Sequence, residues 1–186
     1  MAAPNNLKIL LFNANSVTGK LNTIKCYAET YLPDIVAICE TKIGPNFDDN
    51  ELLGDGFTIW RKDRAQGAGG VLLAMNNDIN ANVLSAREGP GECIGISLQI
   101  HTKIVVNIVI FYRPPSEYLL DNFIEMLDLF GEKGNTIYLG DYNFPDLDWI
   151  TDPKKPCVKI RSSRAAMHQK ALDSILESDL KQLIHE

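Results

Sequence analysis

The segment from Ile104 to Phe111 is apolar almost throughout, broken only by Asn107. A run of that kind is a strand buried on both faces, because a strand with one wet face alternates polar and apolar residues. A strand covered on both sides needs further layers above and below it, so the chain must build a layered core around a sheet. Ile35 to Cys39 reads the same way, and Leu7 to Phe12 is apolar apart from Lys8. Cys93 to Ile100 alternates, with Ile94, Ile96, Leu98 and Ile100 on one face, as in a half-buried antiparallel strand. Phe57 to Arg61, Gly70 to Ala74 and Thr136 to Leu139 read as shorter strands. Between them, Leu21, Ile24, Tyr27 and Ala28 fall at helical spacing, and so do Phe123, Met126, Leu127 and Phe130. Ala171 to Ile184 repeats the pattern, with Leu172, Ile175, Leu176, Leu180, Leu183 and Ile184. Asn46 to Gly56 is a loop or a short helix. Strands alternate with helices but hairpins are mixed in, which predicts α/β layers with mixed or largely antiparallel sheets and not a doubly wound parallel sheet.

At 186 residues the chain forms one domain with a sizeable core, expected over 7–186 after a loose tail at 1–6. A composition 45% hydrophobic and 23% charged excludes a disordered or fibrous chain. The net charge of -6 argues against a general nucleic-acid coat. It does not exclude a nuclease, because a bound cation supplies positive charge at a phosphate. Cys26, Cys39, Cys93 and Cys157 show no C-x-x-C and no zinc-ligand spacing, which predicts free thiols and an intracellular protein, cytoplasmic or nuclear. No stretch is long and apolar enough to span a bilayer, so no membrane partner is expected.

The chemistry gathers where the strands end. The first strand runs into Asn13, the second into Glu40, and two later ones into Tyr112-Arg113 and Gly140-Asp141-Tyr142-Asn143. A rigid sheet can hold such ends side by side. Two carboxylates, two carboxamides, a phenol and a guanidinium would then meet. Mg²⁺ takes oxygen donors, keeps several waters and needs one or two protein carboxylates beside substrate phosphate. Carboxamide N–H and phenol O–H groups donate to phosphoryl oxygens as charge develops, and a second carboxylate orients or deprotonates a water. Taken singly, each residue also has a plain structural use: an Asp after Gly forms turns, and Asn satisfies loop backbone.

The runs Ile9 to Asn15 (ILLFNAN), Cys39-Glu40-Thr41-Lys42, Phe111 to Pro115 (FYRPP) and Gly140 to Trp149 (GDYNFPDLDW) resemble, in order and spacing, the endonuclease/exonuclease/phosphatase superfamily. They are most similar to the apurinic-type endonuclease domains of non-LTR retrotransposons. The resemblance implies a four-layer α/β sandwich of two packed mixed sheets flanked by helices, and a Mg²⁺-dependent enzyme, with Mn²⁺ as the alternative metal, that nicks DNA. It makes Glu40 the metal-binding glutamate and Asn13 its supporting metal-site asparagine. Asp141 becomes the aspartate that aligns the attacking water, Asn143 its partner on the scissile phosphate, and Tyr112 the phosphate-supporting tyrosine. Arg113 and Asn15 are further phosphate candidates. Lys154, Lys155, Lys159, Arg161 and Arg164, joined by Lys170, form a basic stretch suited to DNA phosphates. Arg61, Lys62 and Arg64 form a weaker one.

The superfamily carries two later motifs, an aspartate on a strand and a terminal Ser-Asp-His, that this sequence does not show. The resemblance therefore predicts a domain C-terminally truncated by about 40–50 residues, with an uncovered sheet edge that invites association. His101, His168 and His185 are expected to be ordinary surface or loop histidines. Two other readings stay open: a non-catalytic remnant that binds nucleic acid or protein, and the same fold acting on inositol phosphate, sphingomyelin or RNA.

Overall fold

The computed structural model describes residues 6–64, 67–100, 104–115, 120–131, 135–145, 147–150, 157–160 and 166–181. The elements run β1 (Ile9–Asn13), α1 (Leu21–Tyr31), β2 (Ile35–Cys39), α2 (Asn50–Leu53), β3 (Phe57–Lys62), β4 (Val71–Asn76), β5 (Ala81–Glu88), β6 (Glu92–Ile100), β7 (Ile104–Tyr112), α3 (Asp121–Gly131), β8 (Asn135–Asp141), β9 (Leu147–Ile150), β10 (Cys157–Ile160) and α4 (Ala166–Glu177). They form two mixed four-stranded sheets, ordered β1-β2-β4-β3 and β5-β6-β7-β8, with β9 and β10 as a separate hairpin. The strands β1 and β2 are parallel, as are β7 and β8; the other neighbours within each sheet are antiparallel.

The apolar runs explain the layering. In β2, Ile35, Ala37 and Cys39 face the core between the sheets, while Val36 and Ile38 face outward onto Ile24 of α1 and Leu52 of α2. In β7, Ile108 and Ile110 join the same central core, and Val109 and Phe111 meet α3 and α4 on the far side. The order is therefore helix, sheet, sheet, helix, the expected four layers. Along α3, Phe123, Met126, Leu127 and Phe130 are all buried, as their spacing predicts. On α1 the stripe is narrower than expected, since Tyr27 is exposed. The helix stops at Leu32, which takes a left-handed conformation (φ 47°) and donates its N–H to Ala28 O just before Pro33. On α4, Leu176 points to solvent while Ala171, Leu172 and Ile175 are buried.

Two departures from the sequence reading have clear causes. The strand β6 is buried on both faces near its start, because the ring of Phe130 lies over Gly95 where a side chain would otherwise stand. The strand β5 escapes detection because its residues are mostly exposed and carry no alternation.

The direction of the strands fixes where chemistry can occur. The C-terminal ends of β1, β2, β7 and β8 and the starts of β4 and β6 lie at one end of the sandwich. Among the described residues no helix is long and apolar enough to cross a membrane.

Candidate functional site

Asn13, the last residue of β1, stands at the centre of that end. Its Oδ1 accepts the backbone N–H of Asn15 at 3.0 Å, which fixes the orientation of the amide because a backbone N–H must face oxygen. Its Nδ2 then donates to Glu40 Oε1 at 2.7 Å and to Asp141 Oδ2 at 3.1 Å. One carboxamide thus joins the first sheet to the second and holds the two carboxylates against a single nitrogen. Expected at the metal site, Asn13 here accepts a backbone N–H with its oxygen and presents its amide hydrogens to the two carboxylates.

Glu40 follows β2 with a left-handed backbone (φ 54°), as does Lys42 (φ 53°). Such conformations are uncommon outside glycine and cluster where a site dictates them. They are held by ladder-like bonds on both sides: Ser16 N–H to Glu40 O at 2.8 Å, Thr41 N–H to Gly70 O at 3.2 Å, and Lys42 N–H to Gly69 O at 2.8 Å. The Glu40 side chain is 18% exposed. Burial alone would raise its pKa, but hydrogen bonds from Asn13, Lys42 and Tyr112, with the charge of Lys42, outweigh it and hold the carboxyl below its usual range.

Lys42 is the residue that the sequence reading passed over. Its Nζ lies 3.2 Å from Glu40 Oε2 and also donates to Asn15 Oδ1. Its place in the Glu40-Thr41-Lys42 run was visible; that the left-handed turn swings it back onto Glu40 was not. Tyr112, the last residue of β7, is 5% exposed and donates its O–H to Glu40. Burial, then the charge of Glu40, pushes the phenol pKa up, so Tyr112 stays a donor at any ordinary pH.

Asp141 ends β8, two residues later than the predicted strand. It is delivered by Gly140, whose φ of 139° is closed to other residues and whose missing Cβ leaves room for Phe111 O. Beyond it the chain turns: Asn143 (φ 47°) donates its N–H to Asp141 Oδ1 at 3.2 Å, and its Nδ2 donates to Arg113 O at 2.6 Å. Tyr142 turns inward and stacks on Phe111.

Arg113, the phosphate candidate, faces inward. It is 2% exposed, and its Nη1 donates to Asn143 O at 2.6 Å and Tyr142 O at 3.3 Å while the guanidinium lies over the Phe144 ring. It clamps the loop that carries Asp141 and Asn143. His168 departs from its expectation too: it is 6% exposed and meets the edge of Phe144. The surface expectation rested on the general exposure of such polar residues; here α4 begins at Ala166 and carries His168 against Phe144.

The residues of the weaker basic candidate form ion pairs, Arg61 with Asp49 and Asp63, Lys62 with Glu88, and Arg64 with Glu92. Of the longer stretch, Lys170 pairs with Asp121 at 3.6 Å and Lys159 lies on β10. Lys154, Lys155, Arg161 and Arg164, and likewise His101 and His185, lie outside the described residues.

The structure is similar to an AP endonuclease from Archaeoglobus fulgidus (TM-score 0.63, 19% identity, covering 92% of this chain and 70% of that one). It is similar to the endonuclease domain of TRAS1, a telomere-specific non-LTR retrotransposon (0.63, 13%, 97% and 74%). A 3′ phosphatase from Neisseria bound to a product DNA hairpin matches to the same degree (0.63, 19%, 91% and 71%). No protein-family model and no curated protein matches the sequence. The chain thus spans 70–74% of the length of these structures and has their endonuclease/exonuclease/phosphatase fold.

Proposed function

We propose that the chain is a metal-dependent phosphodiesterase module acting on DNA, with Glu40, Asp141, Asn143 and Tyr112 as its catalytic residues. The observation that carries this is the pair of carboxylates, one from each sheet, held on the single Asn13 Nδ2. DNA is favoured as substrate because the similar structures include AP endonucleases, a retrotransposon endonuclease and a DNA-bound phosphatase.

The donor set fits Mg²⁺ or Mn²⁺. Glu40 is ionised by its surroundings, and the Lys42 ammonium already lies against two oxygens, Glu40 Oε2 and Asn15 Oδ1, where a positive charge is favoured. No group of three or more His, Cys, Asp or Glu among the described residues offers an all-protein cage. That suits a cation held by one or two carboxylates that keeps its waters and takes substrate oxygens. When bound, it supplies positive charge to the phosphoryl oxygens.

The protein groups do the rest. Asp141, with Oδ1 engaged by Asn143 N–H and Oδ2 by Asn13, is fixed to accept a proton from the attacking water. Asn143 spends one amide hydrogen on Arg113 O and has a second for a phosphoryl oxygen. Tyr112 contributes a phenol that does not ionise. A substrate panel tests the reading: supercoiled DNA, RNA, an inositol phosphate and sphingomyelin, each with Mg²⁺ and with EDTA. Metal-dependent turnover of DNA is expected, and faster turnover of any other member would overturn the DNA assignment.

A further inference from the structure

Glu92, the first residue of β6, has no part in the chemistry above, yet it lies at the same end of the sandwich. It pairs in register with Tyr112 across the β6–β7 ladder. Its side chain is 12% exposed and reaches from the second sheet to the first, where Oε2 accepts the backbone N–H of Gly70. Oε1 lies 3.3 Å from Arg64 Nη1. The turn it grips is built from two successive left-handed glycines, Gly69 (φ 49°) and Gly70 (φ 87°). A Cβ on Gly69 would run into the Glu92 carboxylate, and one on Gly70 into Thr41 Oγ1. Their left-handed backbone favours glycine at both positions, and the carboxylate fills the hollow that Gly69 leaves.

The same two residues carry the carbonyls that hold the exit of β2. Gly70 O accepts from Thr41 N–H and Gly69 O from Lys42 N–H. These bonds flank Glu40 and Lys42, whose left-handed backbones would otherwise relax. The contacts form a chain: carboxylate, glycine turn, strand exit, and the Glu40–Lys42 pair.

We infer that Glu92 is a positioning residue, setting the conformation of the Glu40–Lys42 segment by gripping the Gly69–Gly70 turn from the opposite sheet. Its effect on metal binding rests on the phosphodiesterase reading, but its effect on the backbone does not. The Glu92 charge also bears on the Tyr112 phenol, after burial and the charge of Glu40.

The test is amide hydrogen exchange by NMR on the full 186-residue chain, with a Mn²⁺ titration alongside. In Glu92→Ala the Thr41 and Lys42 amides are expected to exchange at least about tenfold faster, with the central β6 and β7 amides unchanged, as for a local opening. Glu92→Gln keeps one acceptor oxygen and should restore part of the protection; it also serves if Glu92→Ala does not fold. Mn²⁺ affinity should fall as well if Glu40 holds the cation. Unchanged Thr41 and Lys42 exchange in both variants overturns the inference, and so does a uniform acceleration across the sheets. Absence of Mn²⁺ binding by the unmodified chain would remove the metal reading and leave the exchange result to decide the role of Glu92.

Discussion

Replacing Arg113 with methionine separates two roles that the sequence alone cannot distinguish. In the structure Arg113 is buried and donates to Asn143 O and Tyr142 O, with Phe144 under the guanidinium. A hydrogen bond from a charged group is worth about 1.5–3 kcal/mol, and a desolvated cation–π contact about 2 kcal/mol. Methionine recovers part of the packing and relieves the cost of burying a charge, but it strands two carbonyls. The net loss should be about 3 kcal/mol or more. Urea unfolding would show it as a midpoint lower by about 1.5 M, for a slope near 2 kcal/mol/M. Arg113→Lys should recover little, since an ammonium lacks the planar fork. A phosphate contact predicts otherwise: stability hardly changed, and the salt dependence of DNA binding reduced by about one unit of slope. Destabilisation below about 1 kcal/mol, together with that loss of slope, would refute the clamp.

Further tests follow from single contacts. Gly140→Ala should destabilise by about 3 kcal/mol or more in urea unfolding, because its φ is closed to alanine and the new Cβ meets Phe111 O. Gly95→Ala should cost about 1–3 kcal/mol by overpacking against the Phe130 ring, read by the same assay. Glu40 is held below the ordinary carboxylate range, so its contribution to stability is present above that range and is lost as pH falls through the lowered value. Asn13→Ala removes one of its donors and should make the acid limb of the stability curve shallower, measured by denaturation across the acid range. Iodoacetamide should label the exposed Cys26 in the native protein well before Cys39 and Cys93, whose thiols burial pushes up to about 12; peptide mass mapping reads the order.

What the sequence could reveal followed from burial. Strands covered on both faces, such as β2 and β7, announce themselves as apolar runs, and α3 by its four buried positions. The strand β5, exposed along most of its length, and the short hairpin β9–β10 leave no such pattern. The site was legible as a set of strand-end residues but not as a geometry. Nothing in the letters shows that Asn13 turns its NH₂ toward both carboxylates, or that Arg113 faces inward. Those facts depend on left-handed turns at Asn15, Glu40, Lys42 and Asn143, which re-aim side chains without altering any periodicity. Glu92 was invisible for a related reason: its partner is a backbone N–H on the opposite sheet.

The most direct test of the central claim is nicking of supercoiled plasmid by the purified chain in Mg²⁺, set against its Asp141→Ala variant and an EDTA control. Relaxed circles are expected from the unmodified chain only with metal, with a loss of at least about a hundredfold in Asp141→Ala. Equal nicking by the two proteins would contradict the claim by placing the activity elsewhere. No nicking by either protein, with metal present, would contradict it in the other way and favour a binding module.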